Sequence, residues 1–454
     1  MSCRVRCCRS GFLGPALLVC AVAACASQSL PSSGDVAARV QPRGDAGVAD
    51  PADARGGDEG RAAAASRVVM LSIDGARWDY LDDERMVHLR EMRQAGASAA
   101  QVVPTNPSMS GPGHLTLLTG AWSGTHGIVL NKFYDRKKGF VKFLGGIPVE
   151  QQTDWLLAEP LWAAAERAGL RTAAVHWMAT AGVYQGARVD FAVPYDPSWS
   201  NQDRVAKAIE ILEQEKPDLL LVYTNGVSPA SYAHGAGSQE AMAAMVEMDG
   251  LVGKLQAAIS ASGQEEETVL VVVSDHGFGP PLKKELCLSW LLQQAGIGYD
   301  FILWGGIGQV FLGDPADADK ARALIEPLEG VTRVVPQAEA GELHLATETR
   351  TGDLLVVTAA GYQVSTMWRQ CDAAVVAPDP AADIAGTHGQ PGDDDPDMRG
   401  IFLAAGRGVK PADLGLVLQV DIAPTVSRLL GMDPPAQAEG TALPLVDERA
   451  WPPH

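Results

Sequence analysis

Residues 68–75, Val-Val-Met-Leu-Ser-Ile-Asp-Gly, decide the fold class of this 454-residue chain. Their first six residues form a short apolar run rich in β-formers, which ends at Asp74-Gly75. Similar runs occur at residues 172–175, 219–223, 269–273 and 401–403, and helix-like stretches precede the first three of these, at 160–168, 203–215 and 239–260. Apolar strands that alternate with helices indicate a mostly parallel sheet covered on both faces. The sequence therefore predicts an α/β fold with a mostly parallel central sheet and helices on both faces.

Polar side chains cluster where the predicted strands end. Asp74, Asn225 and the pair Asp275-His276 each follow an apolar run. Ligands in such folds bind beyond the carboxyl ends of the strands. A lone Asp before Gly is more often a turn residue or a helix cap, but adjacent carboxylate and imidazole groups are two ligands that a metal ion accepts.

Residues 104–135 read PTNPSMSGPGHLTLLTGAWSGTHGIVLNKFYD and contain many small and hydroxyl side chains. The stretch predicts a loop followed by a helix at about residues 113–119. A hydroxyl at a helix N-terminus faces free N–H groups and a positive dipole, which suit a nucleophile and a bound phosphate. Ser and Thr also cap helices without any catalytic role, so position alone does not decide between the two.

The order of these motifs resembles the type I phosphodiesterase/nucleotide pyrophosphatase family of the alkaline phosphatase superfamily. The pattern Thr-x-Pro-x-His, Thr-Leu-x-Thr-Gly, His-Gly-Ile and Asn of that family is matched by four segments in the same order: 110–114, 116–120, 126–128 and Asn131. Residues 386–389 and 396–402 match nearer the C-terminus, so the resemblance runs from about residue 67 to about 444.

The resemblance implies a role for each matched residue. Asp74, Ser110, Asp275 and His276 are similar to the ligands of one zinc ion, and Ser110 is also the expected nucleophile. Asn131 is expected to hold a phosphate oxygen, and His388 to bind a second metal ion. Ser108 lies two residues out of register with the nucleophile, and His114 and His126 are expected to be structural. Tyr223 occupies the place of an aromatic residue that stacks on a nucleotide base, although a strand-end Tyr with its ring in the core fits equally well.

The second metal site departs from the family pattern. In the register set by Tyr223, the Asp and His positions are occupied by Ser228 and Tyr232. A shift by two residues would recover His234 but would place Ala230 at the Asp position. Neutral hydroxyls are poor zinc ligands, so these two positions are expected to be degenerate.

Three outcomes are open for this site. Substitutes such as His234 or the acidic run 393–395 could complete it, although such a run is more often a solvated loop. The protein could work with one metal ion and Tyr232 as a polar replacement. It could also be a pseudoenzyme that binds a phosphorylated ligand.

The expected function is metal-dependent hydrolysis of a phosphodiester or pyrophosphate through Ser110. Phosphomonoesterase activity is an alternative. The sequence has no Cys-x-Pro-x-Arg or Ser-x-Pro-x-Arg segment that would support a sulfatase.

The N-terminus predicts export. Residues 1–25 combine a basic start with a short apolar run that ends in Ala23-Ala24-Cys25, as in a signal peptide. This ending resembles the lipobox of bacterial lipoproteins, which implies a lipid anchor at Cys25 facing the periplasm or cell exterior; an ordinary cleaved signal is the alternative. Residues 26–66 predict a disordered tether, 67–445 the catalytic domain with an inserted cap region at about 281–380, and 446–454 a tail.

The net charge limits the classes of molecule that the protein is expected to bind. The net charge of -19 disfavours nucleic-acid duplexes and anionic lipid, so the expected partner is a small phosphate ester or nucleotide, and the membrane is reached only through the anchor.

Cys287 and Cys371 are the cysteines outside the export segment, and either a disulfide or two free thiols fits the sequence. The sequence carries no signal for the oligomeric state.

Overall fold

The structure is a computed structural model that describes residues 67–379 and 384–446. The expected signal peptide, the anchor at Cys25, the tether and residues 447–454 of the tail lie outside the described residues, as do 380–383 within the expected cap region.

Ten α-helices occur in the described residues: α1 (Val87–Ala95), α2 (Ser110–Thr119), α3 (Ser123–His126), α4 (Leu161–Arg167), α5 (Asn201–Gln214), α6 (Ser228–His234), α7 (Gln239–Ala261), α8 (Leu288–Gln294), α9 (Ala318–Ile325) and α10 (Ile422–Leu430).

The strands of the same residues are β1 (Arg67–Ile73), β2 (Ala97–Ser98), β3 (Gln101–Val103), β4 (Lys132–Asp135), β5 (Gly139–Lys142), β6 (Thr172–Val175), β7 (Phe191–Val193), β8 (Leu219–Thr224), β9 (Thr268–Val273), β10 (Lys284–Leu286), β11 (Tyr299–Leu303), β12 (Ile307–Leu312), β13 (Val331–Pro336), β14 (Leu354–Thr358), β15 (Tyr362–Val364), β16 (Val375–Val376), β17 (Phe402–Gly406), β18 (Ala412–Asp413) and β19 (Leu416–Leu418).

The central sheet has eight strands in the order β18-β2-β17-β9-β1-β8-β6-β7. Strand β1 pairs in parallel with both β8 and β9, and β6 pairs in parallel with β8 and β7. Strand β17 pairs antiparallel with β9 and with β2. The predicted α/β fold with a mostly parallel central sheet is confirmed, with the antiparallel strand to one side of the parallel group.

The apolar character of the central strands follows from burial on both faces. In β1, Val68 and Met70 belong to one hydrophobic cluster, whereas Val69, Leu71 and Ile73 belong to a second. Because successive side chains of a strand point to opposite faces, a strand between two cores must be apolar at every position. Helices supply both cores, with buried residues of α2, α4 and α10 in the first and of α1, α5 and α7 in the second.

The helix predicted at about residues 113–119 begins three residues earlier than expected, at Ser110. The segment Gly111-Pro112-Gly113 suggests a loop, but proline is tolerated in the first turn of a helix, where its missing N–H has no intrahelical partner to lose. The predicted start was therefore wrong, and the correction places Ser110 at the first helical position.

Residues 284–376 contain strands that belong to sheets other than the central one. Strands β11, β12, β14 and β13 form a four-stranded antiparallel sheet, and β10 joins β15 and β16. This region has its own hydrophobic cluster, centred on residues such as Leu292, Val310 and Val356. That it acts as a cap over the site stays a prediction.

Cys287 and Cys371 are joined by a disulfide within this region, with a Cα–Cα distance of 6.4 Å. Of the two states that the sequence left open, the structure therefore has the bonded one. In the part of the chain that the structure describes, none of the helices combines the length and apolar character needed to span a membrane.

Candidate active site

The candidate site lies at the carboxyl ends of β1, β8 and β9. Ser72 of β1 is level with Tyr223 of β8 on one side and with Val273 of β9 on the other. Because the three strands are parallel and in this register, Asp74 and the pair Asp275-His276 emerge at the same edge of the sheet.

Ser110 reaches this edge from the first position of α2. Its Oγ lies 3.3 Å from Nε2 of His276. The close approach requires glycine at position 113, because a Cβ there would come within 2.9 Å of the Asp275 side chain. The glycine that made the segment resemble a loop thus lets the helix dock against the strand end.

Two buried carboxylates face each other across this edge. Oδ1 of Asp275 accepts the N–H of Gly75 at 3.0 Å. Oδ2 of Asp275 and Oδ1 of Asp74 are both buried and make no well-aligned hydrogen bond among the described residues, although Oδ2 of Asp275 lies 3.3 Å from Nδ1 of His114. Burial and the charge of Asp275 raise the pKa of Asp74 from 3.8 to about 6. Burial acts in the same direction on Asp275, but the charges of His276 and His114 outweigh it and lower the pKa of Asp275.

The orientation of His276 follows from its neighbour. Its Nδ1 lies 2.8 Å from the carbonyl oxygen of Gly277 and therefore donates a proton to it. Nε2 lies 3.2 Å from Oδ2 of Asp275, 3.3 Å from Oγ of Ser110 and 4.0 Å from Oδ1 of Asp74. In the neutral form of the ring the lone pair is on this nitrogen, where a cation among these oxygens would accept it.

His114 also lies at this site, closer than the sequence suggested. Asp74, His114 and Asp275 offer ligand atoms that all lie within 4.8 Å of one another. Nδ1 of His114, however, is 2.8 Å from the carbonyl oxygen of Ser110, and its Nε2 is 2.8 Å from Oγ of Ser72. Burial opposes protonation of His114, yet the neighbouring Asp275 raises its pKa. With both nitrogens hydrogen-bonded, His114 ties α2 to β1 beneath the site.

The residues present fit a divalent cation. Two carboxylate oxygens without well-aligned hydrogen bonds, the Nε2 of His276 and the Oγ of Ser110 converge in a buried place, and like charges so close need a cation between them. Mixed oxygen and nitrogen donors of this kind suit zinc. We call Asp74, Ser110, Asp275 and His276, the four residues expected to hold this ion, the first ligand set.

Asn131 and Ser108 are placed very differently relative to the first ligand set. Oδ1 of Asn131 accepts the N–H of Gly111 at 2.7 Å, which fixes its amide beside the start of α2. Oγ of Ser108 donates to the carbonyl oxygen of Gln390 at 2.6 Å and accepts the N–H of Gly389 at 3.0 Å. The Ser108 hydroxyl is fully buried, and it both donates and accepts a hydrogen bond within the protein.

The positions of the second metal site form a different arrangement, which we call the second ligand set: Ser228, Tyr232 and His388. Nδ1 of His388 donates to the carbonyl oxygen of Ser108 at 2.8 Å, so its lone pair lies on Nε2. The hydroxyl of Tyr232 is hydrogen-bonded to that Nε2. Burial and the neighbouring His276 lower the pKa of His388 to about 3, so the imidazole is neutral and accepts the phenolic proton. The one lone pair that could bind a metal ion is thus taken by Tyr232.

The substitutes considered from sequence do not group with His388. Asp394 forms an ion pair with Arg333 at 3.1 Å. Oδ1 of Asp395 accepts the N–H of Asp397 at 3.0 Å in a short helical turn, and its Oδ2 is buried without a hydrogen bond among the described residues. His234 is exposed in the last turn of α6. Within residues 67–379 and 384–446, His388 belongs to no group of three or more His, Cys, Asp or Glu side chains with ligand atoms in reach of one another.

The two sets are in direct contact. The rings of His276 and His388 stack with centroids 4.1 Å apart and planes 15° from parallel. Tyr232, which is 39% exposed, stands edge-on to His388 and to Phe278. The ring of Tyr232 thus forms part of the surface beside the first ligand set.

Several of these contacts could not be anticipated from the motifs. The bond from His388 to Ser108 and the stack of His388 on His276 join segments far apart in the chain. The bond from Ser72 to His114 had one sequence signal, a single polar residue inside an otherwise apolar strand, two positions before Asp74.

Residues 68–391 match the model of the family described as type I phosphodiesterase/nucleotide pyrophosphatase. The chain belongs to this family. An uncharacterized pyrophosphatase/phosphodiesterase of Schizosaccharomyces pombe is 28% identical over 50% of this chain and 47% of its own length. Human ectonucleotide pyrophosphatase/phosphodiesterase family member 5 is 31% identical over 46% of this chain and 44% of its own length. The match therefore spans just under half the length of these relatives.

Solved structures of family members share the fold. Human ectonucleotide pyrophosphatase/phosphodiesterase 5 superposes with a TM-score of 0.71 at 23% identity, covering 83% of this chain and 96% of that one. An inactive murine form of the same protein, in complex with AMP, gives a TM-score of 0.70 at 23% identity, covering 81% of this chain and 96% of that one. The likeness confirms the alkaline phosphatase-like architecture that the sequence predicted.

Proposed function

We propose that this protein hydrolyses phosphodiester or pyrophosphate bonds with a single zinc ion and that Ser110 is the nucleophile. One observation carries the proposal: two buried carboxylate oxygens, on Asp74 and Asp275, make no well-aligned hydrogen bond among the described residues and lie beside Nε2 of His276, which contacts the hydroxyl of a serine at a helix N-terminus. Asp74, Ser110, Asp275 and His276 would hold the ion. Membership of a phosphodiesterase/pyrophosphatase family supports the type of reaction.

The chemistry follows from these positions. A zinc ion in the first ligand set would act as a Lewis acid that favours the alkoxide of Ser110 and offsets negative charge on the phosphoryl group. The Ser110 oxygen bonds to phosphorus as its proton passes to solvent, and the bond from phosphorus to the leaving oxygen breaks, so that the leaving group departs and takes a proton from solvent. Water then attacks the serine phosphoester and loses a proton, the bond to Ser110 breaks, Ser110 regains a proton, and the monoester is released.

Asn131 and the start of α2 would hold the phosphoryl group in place. With its Oδ1 bonded to Gly111, the Asn131 amide can only offer its N–H groups to a non-bridging oxygen. The partial positive charge at the helix N-terminus acts in the same direction. Ser108 is not a competing nucleophile in this proposal, because its hydroxyl is buried and bonded at both the donor and the acceptor.

The second ligand set is degenerate in this proposal. Ser228 supplies no carboxylate, and Tyr232 occupies the Nε2 of His388. In a two-metal displacement the two ions share the stabilisation of the attacking and leaving oxygens. With one ion, hydrolysis of the serine phosphoester is expected to be slow relative to its formation, so the covalent intermediate should accumulate.

The proposal is tested with the mature domain supplied with zinc and an aryl phosphodiester. We expect a burst of one aryl alcohol per active site followed by a slower steady rate, and loss of both in Ser110→Ala, with Ser108→Ala as the control that retains them. Activity that survives Ser110→Ala would contradict the proposal. Faster cleavage of an aryl phosphomonoester than of the diester would favour a phosphomonoesterase instead.

A binding protein without turnover is the second candidate function, and the Tyr232–His388 bond is the observation that favours it. Such a protein would hold one zinc ion and a phosphorylated small molecule, without any step of hydrolysis. A single bound zinc together with AMP binding, but neither a burst nor steady turnover, would decide for this candidate.

We also propose that the protein is exported and anchored through Cys25, and that its ligand is a small phosphate ester or a nucleotide. The disulfide between Cys287 and Cys371 supports an oxidising compartment, and a relative of the same family is known in complex with AMP. Labelling with a radioactive fatty acid in wild-type cells, but not in cells carrying Cys25→Ala, tests the anchor.

A further inference from the structure

The hydroxyl of Tyr223 is bonded to a member of the first ligand set. Tyr223 lies near the end of β8, and its Oη donates to Oδ2 of Asp74 at 3.0 Å. The hydroxyl is therefore not in solvent, as a strand-end tyrosine would allow. The phenol has an O–H to give and the carboxylate oxygen accepts, so the bond runs from Tyr223 to Asp74.

This bond leaves Asp74 with two unequal oxygens. Oδ2 accepts from Tyr223, whereas Oδ1 has no partner among the described residues and is the oxygen that lies 4.0 Å from Nε2 of His276. A carboxylate held in this way presents one defined oxygen to the place where Ser110, Asp275 and His276 converge.

Two buried side chains hold the ring of Tyr223 in place. The guanidinium carbon of the fully buried Arg204 lies 5.5 Å from the ring centroid, within cation–π range, and its Nη1 donates to Oδ1 of Asn225 at 2.7 Å. His114 meets the ring edge-to-face at 5.0 Å. With these contacts the ring is only 7% exposed, which leaves little surface for a base to stack on.

We propose that Tyr223 is a positioning residue for the metal site, and that Arg204 fixes its ring so that the hydroxyl holds Asp74 with Oδ1 towards the ion. This inference rests on the zinc ion proposed above for the first ligand set. It replaces the base-stacking role that the family resemblance implied for Tyr223. Hydrogen-bond partners of metal ligands orient them, and their removal typically lowers metal affinity by about 10- to 100-fold.

The test compares Tyr223→Phe with Tyr80→Phe. Phenylalanine keeps the ring and removes only the oxygen. Tyr80 is the matched control, because it is also buried and its hydroxyl accepts the N–H of Gly237, which belongs to neither ligand set. We expect Tyr223→Phe to bind zinc about 10- to 100-fold more weakly in a chelator competition, and Tyr80→Phe to bind zinc as the wild type does.

Kinetics separate positioning from stacking. If Tyr223 positions Asp74, Tyr223→Phe should lower kcat at limiting zinc for an aryl diester and for a nucleotide diester alike. Excess zinc should then restore kcat, and KM should be unchanged. Wild-type zinc affinity in Tyr223→Phe would overturn the inference, as would a rise in KM confined to the nucleotide substrate. The zinc titration needs no turnover, so it decides this inference even if the protein hydrolyses no ester and the proposed function fails.

Discussion

The two ligand sets share one edge of one sheet but differ in where their lone pairs are used. In the first, Oδ1 of Asp74, Oδ2 of Asp275 and Nε2 of His276 have few or no protein partners and face one another. In the second, the Nε2 of His388 is bonded to the phenol of Tyr232, and within residues 67–379 and 384–446 no carboxylate groups with them. A ligand set persists only while its donors are left unpaired and buried, which costs stability until a cation binds. Once a neighbouring side chain pairs with the donor, that cost disappears and so does the reason to bind a metal ion.

The largest effect is expected from the first ligand set. Asp275→Asn keeps an oxygen that can accept from Gly75 but removes the charge, so we expect loss of bound zinc and a fall in turnover of roughly 10³- to 10⁴-fold, equivalent to several kcal/mol. Elemental analysis and steady-state kinetics measure both.

The matched control for this change is Asp249→Asn. Asp249 is also a buried carboxylate, but it accepts the N–H groups of His88 and Leu89 in the first turn of α1, which belongs to neither ligand set. Asp249→Asn should have a lower free energy of unfolding than the wild type and should still bind zinc. If the Asp275 variant keeps zinc equally well, the contrast between the two sets is wrong.

A smaller effect concerns His126, which supports α2, the helix that begins at the proposed nucleophile Ser110. Its Nε2 meets Oγ1 of Thr116 on α2, its Nδ1 accepts the N–H of Ile128, and burial lowers its pKa from 6.5 to about 3. The unfolded chain then binds more protons than the folded one between these two values, so the contribution of His126 is complete above pH 6.5 and is lost as the pH falls.

Between pH 7 and pH 4.5 the wild type should lose roughly 2–3 kcal/mol more unfolding free energy than His126→Asn, because each pH unit in this window is worth about 1.4 kcal/mol. Urea denaturation at the two pH values measures the difference. Equal losses in the two proteins would show that His126 is protonated in the folded state.

Rebuilding the second ligand set should convert it towards the first. Ser228→Asp combined with Tyr232→His supplies the missing carboxylate and imidazole and frees the Nε2 of His388. We expect the bound zinc to rise from one ion to two and the steady rate after the burst to increase by about tenfold or more, roughly 1.4 kcal/mol. Each single variant, which lacks one ligand, should still hold one ion. A wild-type protein that already holds two ions would refute the proposed closure of this set.

The smallest effect is expected at His234, the substitute in the shifted register. It is exposed in the last turn of α6, whereas Tyr232 is the residue that reaches His388. His234→Ala should therefore leave zinc content, burst and steady rate within about twofold of the wild type, since surface substitutions usually change free energies by less than about 0.5 kcal/mol. A loss of zinc would support the shifted register.

The sequence by itself determined the parts of this protein that depend on local pattern. The run at residues 68–73 predicted β1 because a strand buried on both faces must be apolar throughout, and Asp74 and Asp275-His276 were found because they end such runs. The order of motifs from 110 to 131 predicted the family. The sequence also showed that position 228 carries Ser and no carboxylate, because the identity of a residue can be read without a structure.

Only the tertiary structure decided how the remaining donors are used. The start of α2 at Ser110 depends on Gly113 fitting against Asp275, a contact between residues 162 positions apart that no local propensity encodes. Tyr223 reaches Asp74, 149 positions away, because the parallel strands β8 and β1 end at one edge. Tyr232 of α6 likewise meets His388, 156 positions away, only in the folded chain. A sequence lists which lone pairs a protein has, whereas packing decides which of them stay free to bind a metal ion.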